Sequence, residues 1–325
     1  PIGVVAGNEN ILNRIDGGMW NYGDDSVPPD EDKRIFTAGT FSHHPITMAA
    51  AKAVLLKIKK EKNTIYKEIE EKTNYLVKEI KEYFLSQYDF LNAEALAKSK
   101  YLKLDWSNLV SNYGLIDVNS LAQNIKDDDY EQLYPSLKMA LENADKMFVE
   151  GTAEGFLINN LFIKAYYQYL IKAVKMPLLK VTLSEKIDLI NLIAAFRAKG
   201  DDALKKEMFI SGGKLSLQRI NEIVNMGYET VKNEFMFSEK RDFYEKIFFD
   251  AKEGRPLISS ENELDSFLLK RLKEDRFDLD NEKEFLLYCL YKQNEIKNVN
   301  IIVVGLNSGL NKAQISERLR ECYEN

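Results

Sequence analysis

The chain has 325 residues, 45 % apolar and 30 % charged, with a formal net charge of −6. That balance excludes a disordered chain, and it excludes a nucleic-acid binder relying on a general basic surface. Two cysteines, Cys289 and Cys322, cannot make a disulfide framework, so the expectation is a cytoplasmic protein of two or three domains. The first 46 residues hold four of the seven prolines and six of the sixteen glycines, which predicts a loop-rich start. His43 and His44, the only histidines, lie in this segment with Asp24 and Asp25. Neighbouring residues diverge, so the pair reads as turn or surface residues and no metal site is expected.

From Ile65 to Phe84 apolar residues recur at Ile69, Leu76, Ile80 and Phe84, one stripe of a helix. The charges of 57–72 fit a solvated helix face with i,i+4 pairs. Residues 126–129, "KDDD", read as a helix start. Residues 161–174 are apolar on most faces and predict a helix set deep between others. Helical patterns follow at 263–277, 283–296 and 312–323, and "NIIVVG" (300–305) is the one β-branched run past residue 50 that competes with helix. The longest apolar run, 156–163, is far too short to span a bilayer. No G-x-x-x-x-G-K-[ST] phosphate loop occurs, and no carboxylate pair is marked as acid and base.

An acid followed three residues later by asparagine appears at Asp89/Asn92, Asp188/Asn191 and Glu295/Asn298. Gly114 and Gly213 each follow their asparagine by 22 residues. Asp117 and Ser216 come next, each suited to cap a helix. Gly309 follows Asn298 at 11 residues. The repeat predicts tandem helical domains, with the polar pairs acting as packing and register devices rather than one catalytic centre.

The stretches "YDFLNAEALAKSKY", "LSEKIDLINLIAAFRAKG", "FISGGKL", "ENELDSFLLKRLKEDRF" and "KQNEIKNVNIIVVGLNSGL" resemble the C-type stalk component (d-type in eukaryotes) of the V/A-type rotary ATPases, over about Tyr88 to the C-terminus. The resemblance implies a mostly α fold of tandem helical bundles arranged as a funnel. It also implies a non-catalytic central-stalk connector that sits on the membrane rotor ring, receives the axle and works peripherally at the membrane through protein partners. Under it Asp89, Asn92, Asp188, Asn191, Glu295, Asn298, Gly114, Gly213 and Gly309 are structural residues. The domains are expected at 85–182 and 183–325.

The front does not share this pattern. "PIGVVAGNENILNRIDGGMWNYGDDS" and "FTAGTFSHHPITMAAAKAVL" resemble the later part of class III pyridoxal-phosphate-dependent aminotransferases, near glutamate-1-semialdehyde aminomutase, over about residues 1–80. That resemblance implies a small α+β segment, 1–84, loop-rich and then helical, joined to the rest between about Thr73 and Tyr88. The family's cofactor lysine precedes the "PIGVV" position and is absent from this chain. Thr40 matches the position that meets the cofactor phosphate of a neighbouring protomer. One hydroxyl cannot hold the cofactor, so no cofactor and no transaminase chemistry are expected.

Overall fold

The computed structural model describes residues 45–322, apart from 199, 239, 256, 258, 259, 261–263, 265, 268, 271 and 274–280. The chain divides into two units, Pro1–Asn74 and Tyr75–Asn325, each taken by itself below. Among the described residues every regular element is a helix and there is no strand. The α+β expectation falls largely on residues 1–44, and Asp24, Asp25, Thr40, His43 and His44 lie outside the described residues.

Helix α1, Pro45–Leu102, runs for 58 residues. No glycine or proline interrupts it after Pro45, and Lys, Glu, Ala and Leu favour it throughout. In the first unit its Val54, Leu55, Leu56, Tyr66 and Ile69 are exposed, and Lys67 pairs with Glu71 at 3.8 Å on the solvent side. In the second unit its Leu76, Ile80 and Phe84 turn inward and pack on a core.

Three helices follow in the second unit. Helix α2 (Val118–Asp127) starts at Asp117, whose side chain accepts from Ser120 N. It ends at Asp128, left-handed with φ 58°. Residues 126–129 are therefore a helix end, not a start. Aspartate tolerates the left-handed conformation that stops a helix, and Lys126 in the last turn complements the carbonyl end. Helix α3 (Pro135–Glu150) opens on proline and closes on Gly151, whose φ of 72° only glycine adopts freely. Helix α4 (Gly155–Ala173) sits deep, as its all-round apolarity predicts. Together α1–α4 enclose one core, with Phe90, Ala93 and Leu96 against Leu121, Leu137, Ile158 and Phe162.

Helix α5 (Pro177–Arg197) again opens on proline. It is followed by α6 (Asp202–Met208), α7 (Leu217–Val224), α8 (Tyr228–Glu234) and α9 (Arg241–Lys252). Asp201 caps α6 and Ser216 caps α7 through their side chains. A second core joins Leu189, Leu192 and Phe196 of α5 to Phe243, Ile247 and Phe248 of α9. Between these two cores a third collects Leu170, Leu179, Leu183 and Ile187 with Leu286 and Leu290.

Helix α10 (Asn281–Asn307) absorbs "NIIVVG", so the helical surroundings overrode local β-propensity. Helix α11 (Lys312–Ser316) carries a full capping box between Asn311 and Gln314. The helical pattern of 312–323 stops at Ser316. Leu319 to Cys322 is not helical, because Asn298 captures the backbone there.

Candidate functional site

Three asparagines on three helices make the same pair of bonds. Asn92 Oδ1 accepts from Ser111 N at 2.8 Å and its Nδ2 donates to Ser111 O at 2.7 Å. Asn191 does this to Ile210, both at 2.8 Å. Asn298 does it to Arg320, both at 2.8 Å. A carboxamide is the side chain for this task. It presents one donor and one acceptor side by side, as a neighbouring strand would, and satisfies both backbone groups of a single residue. Asn92, Asn191 and Asn298 are buried. Each clip therefore ties a connecting segment to a helix, in a fully buried setting at Ile210 and a partly buried one at Ser111 and Arg320.

The acids complete the first two sites. Asp89 Oδ1 accepts from Ile116 N at 2.9 Å, and Asp188 Oδ1 accepts from Leu215 N at 2.9 Å. Every partner in the second site lies 99 residues on from its counterpart in the first, including the caps Asp117 and Ser216. Gly114 and Gly213 fill the remaining space. A Cβ on Gly114 would lie 2.2 Å from Asp89 Oδ1, and one on Gly213 would lie 2.1 Å from Asp188 Oδ1.

The third site differs. Glu295 is half-buried and takes Lys292 Nζ at 2.8 Å on its own helix. Asn294, one residue earlier, is buried instead and donates to Glu321 O at 2.9 Å. Gly309 forms a left-handed turn with φ 73° and meets no carboxylate. Here the clipped residue follows the capped helix, whereas Ser111 and Ile210 precede theirs.

A family model for the ATP synthase (C/AC39) subunit matches residues 49–318. The chain belongs to the ATP synthase (C/AC39) subunit family. This is a family of structural stalk components of V-type ATPases that catalyse nothing themselves. The chain is also 29 % identical over 167 residues to a glutamate-1-semialdehyde 2,1-aminomutase of Fusobacterium nucleatum subsp. nucleatum. That match covers 51 % of this chain and 30 % of the relative, so the chain spans less than a third of that relative's length. It is too distant and too partial to carry catalysis across. No solved structure matches.

The paired acids of this C/AC39 chain are electrostatically unlike. Burial pushes the Asp89 carboxyl up to about 6, against the opposing bonds from the Ile116 and Leu115 amides and the Tyr134 hydroxyl. Tyr134 donates to Asp89 Oδ2 at 3.3 Å, and its ring lies tilted by 33° at 4.2 Å from that of Tyr169, which donates to Glu82. Burial also raises the Tyr134 hydroxyl, to about 12, with the Asp89 charge adding to it. Asp188 is raised as well, chiefly by burial, with the Leu215 and Lys214 amides and then the Lys240 and Lys214 charges opposing. Its Oδ2 is buried without a hydrogen-bond partner, where the equivalent atom of Asp89 has Tyr134.

Glu79 escapes any reading of the sequence. It is 1 % exposed, and its Oε2 accepts from Lys175 N at 2.6 Å and Met176 N at 2.8 Å. These amides stand at the start of α5, so a carboxylate ten residues before Asp89 caps a helix nearly a hundred residues away. Pro177 signals the helix start, but nothing local to Glu79 sets it apart from the other acids of "KEIKEYF".

Among the described residues no group of three or more His, Cys, Asp or Glu could hold a metal. A cleft of about 350 Å³ opens between α1, α4 and α5, walled by Phe90, Phe162, Tyr166 and Ile193 with Glu94 at one side. The Glu94 carboxylate is tied to Lys98 Nζ at 2.5 Å and Asn159 Nδ2 at 3.3 Å. The clips and acids bond backbone groups of the connecting segments to side chains of α1, α5 and α10.

Proposed function

We propose that the chain is a central-stalk connector of a V/A-type rotary ATPase. It joins the axle to the membrane rotor ring, so that ATP turnover couples to proton or sodium movement. The family match over residues 49–318 carries this reading. The asparagine clips support it, because a torque-bearing part needs connecting segments tied to their helices.

In this reading 85–182 and 183–325 are successive helical domains. Asp89, Asn92, Asp188, Asn191, Asn298, Gly114 and Gly213 keep them aligned, while Glu295 and Gly309 serve locally. The chain takes no cofactor, and it reaches the membrane through protein partners. No helix among the described residues is long and apolar enough to cross one.

The test is affinity purification of the full chain from cells expressing the remaining ATPase subunits, with the bound proteins identified by mass spectrometry. Rotor-ring and axle proteins in stoichiometric amounts are expected. Their absence, with the chain soluble and folded, sinks the reading.

The aminomutase match favours a second reading, an inactive aminotransferase-related fusion. It predicts a cofactor-like pocket near Thr40, so an absorbance band near the visible edge on adding pyridoxal phosphate would favour it.

A further inference from the structure

The three asparagines index equivalent positions on their helices. Two residues before, and one, four and five residues after, lie Phe90, Ala93, Leu96 and Ala97 on α1, and Leu189, Leu192, Ala195 and Phe196 on α5. All eight are core residues, none more than 9 % exposed. On α10 the same positions are Ile296, Val299, Ile302 and Val303, equally apolar, yet 39 to 61 % exposed. Leu306 continues the stripe at 64 % exposed. Ile296, Val299, Val303 and Leu306 follow a 3-4-3 spacing, the seam by which one helix packs on another. Helix α11 reaches only the Gly305 side, where a Cβ would come within 2.9 Å of Ile315 Cγ1.

The other two helices show what covers such a face. On α1 the cover is α3 and α4, with Leu137, Leu141, Ile158 and Phe162. On α5 it is α9, with Phe243, Ile247 and Phe248, and Phe248 meets Phe196 edge-on at 4.8 Å. On α3 the buried residues Leu137, Ala140 and Leu141, and on α9 Tyr244, Ile247 and Phe248, stand at i, i+3 and i+4 of an amphipathic helix. The α10 stripe covers about 15 Å of helix at 1.5 Å per residue. Fully burying one such side chain removes roughly 60–120 Å² from water, so five half-exposed ones offer about 150–300 Å². A standard interface needs about 800 Å² per partner. The stripe is too small to hold two copies of this chain together. It suits one element of a larger assembly whose other contacts supply the rest.

We propose that Ile296, Val299, Ile302, Val303 and Leu306 form the seat for one amphipathic helix of another protein, which completes around Asn298 the core that α3–α4 and α9 complete around Asn92 and Asn191. Only the identification of the donor as part of the ATPase rests on the function proposed above.

The probe is a fluorescein-labelled, helix-stapled peptide with the α9 sequence Arg241–Lys252, titrated against the full chain and followed by anisotropy. Saturable binding of one peptide per chain is expected, weakened about tenfold or more by Val299→Asp and by Ile296→Glu. Both positions are exposed, so unchanged melting of the variants is the control for folding. No binding, or equal binding by wild type and variants, overturns the seat. A dimer that Val299→Asp disperses in sedimentation would give the face to a second copy and also overturn it. If Val299→Asp retains the ATPase proteins at the wild-type level, the seat falls and the stalk function stands. If neither chain retains them, the function falls, while the peptide titration still decides the seat.

Discussion

Asp188 and Gly213 share one space: the carboxylate Oδ1 of the first stands 2.1 Å from where a Cβ of the second would be. Gly213 is there because the carboxylate must reach Leu215 N, and any side chain would push it away. Asp89 and Gly114 repeat the relation at 2.2 Å. Neither glycine has the positive φ that usually explains a glycine, so the requirement is space rather than backbone conformation.

Gly213→Ala should therefore destabilise the chain by about 2–4 kcal/mol, as overpacking and a lost buried hydrogen bond add. In the Asp188→Ala background the same substitution should cost under about 1 kcal/mol, because the clashing atom is gone. Urea unfolding of the four proteins measures the coupling. Equal costs in both backgrounds would refute the space-sharing account.

Asn191→Ala leaves the buried N–H and C=O of Ile210 without partners, at about 1–3 kcal/mol each. A total of about 2–6 kcal/mol is expected, and Asn92→Ala should cost less, because Ser111 is only partly buried. Asn191→Asp keeps the acceptor, loses the donor and buries a charge, so it should be no better than alanine at pH 7. Denaturant midpoints for the three variants would show this order or contradict it.

Asp89 titrates near 6 in the folded chain, against an ordinary 3.8. The folded state thus holds its proton more tightly than the unfolded state does. Its contribution to stability is fully present below about 3.8 and is lost as pH rises through about 6. At about 1.4 kcal/mol per pH unit of separation, the change is about 3 kcal/mol. In Asp89→Asn this segment of the stability–pH profile should flatten between pH 4 and 6, relative to wild type. An unchanged profile in urea titrations across that range would count against the assignment.

Glu79→Gln keeps an acceptor for Lys175 N and Met176 N but removes the charge facing the α5 start, and about 1 kcal/mol should be lost. Glu79→Ala should lose about 2–3 kcal/mol, since both amides are then unpaired. Hydrogen exchange at Lys175 and Met176 should quicken in the alanine variant more than elsewhere in α5. Uniform quickening along the helix would instead mean that Glu79 acts only on global stability.

The helices, their caps at Asp117 and Ser216, and the 99-residue repeat were legible in the order of residues, because each depends on neighbours within a few positions. The pairing of Asp89 with Asn92, and of Asp188 with Asn191, was visible for the same reason, as one turn of helix puts them on one face. Other features were settled between elements far apart in the chain. Glu295 has the same spacing to Asn298, yet it turns to Lys292, and Asn294 faces the tail in its place. The pattern of 312–323 reads as helix, yet Asn298 draws Arg320 out of it. Glu79 reads as one surface acid among many, and only the arrival of α5 buries it. Local order fixes which residues can bond within a turn or two. Which of them are removed from water, and against what, depends on helices brought together from a hundred residues apart, and no local pattern encodes that.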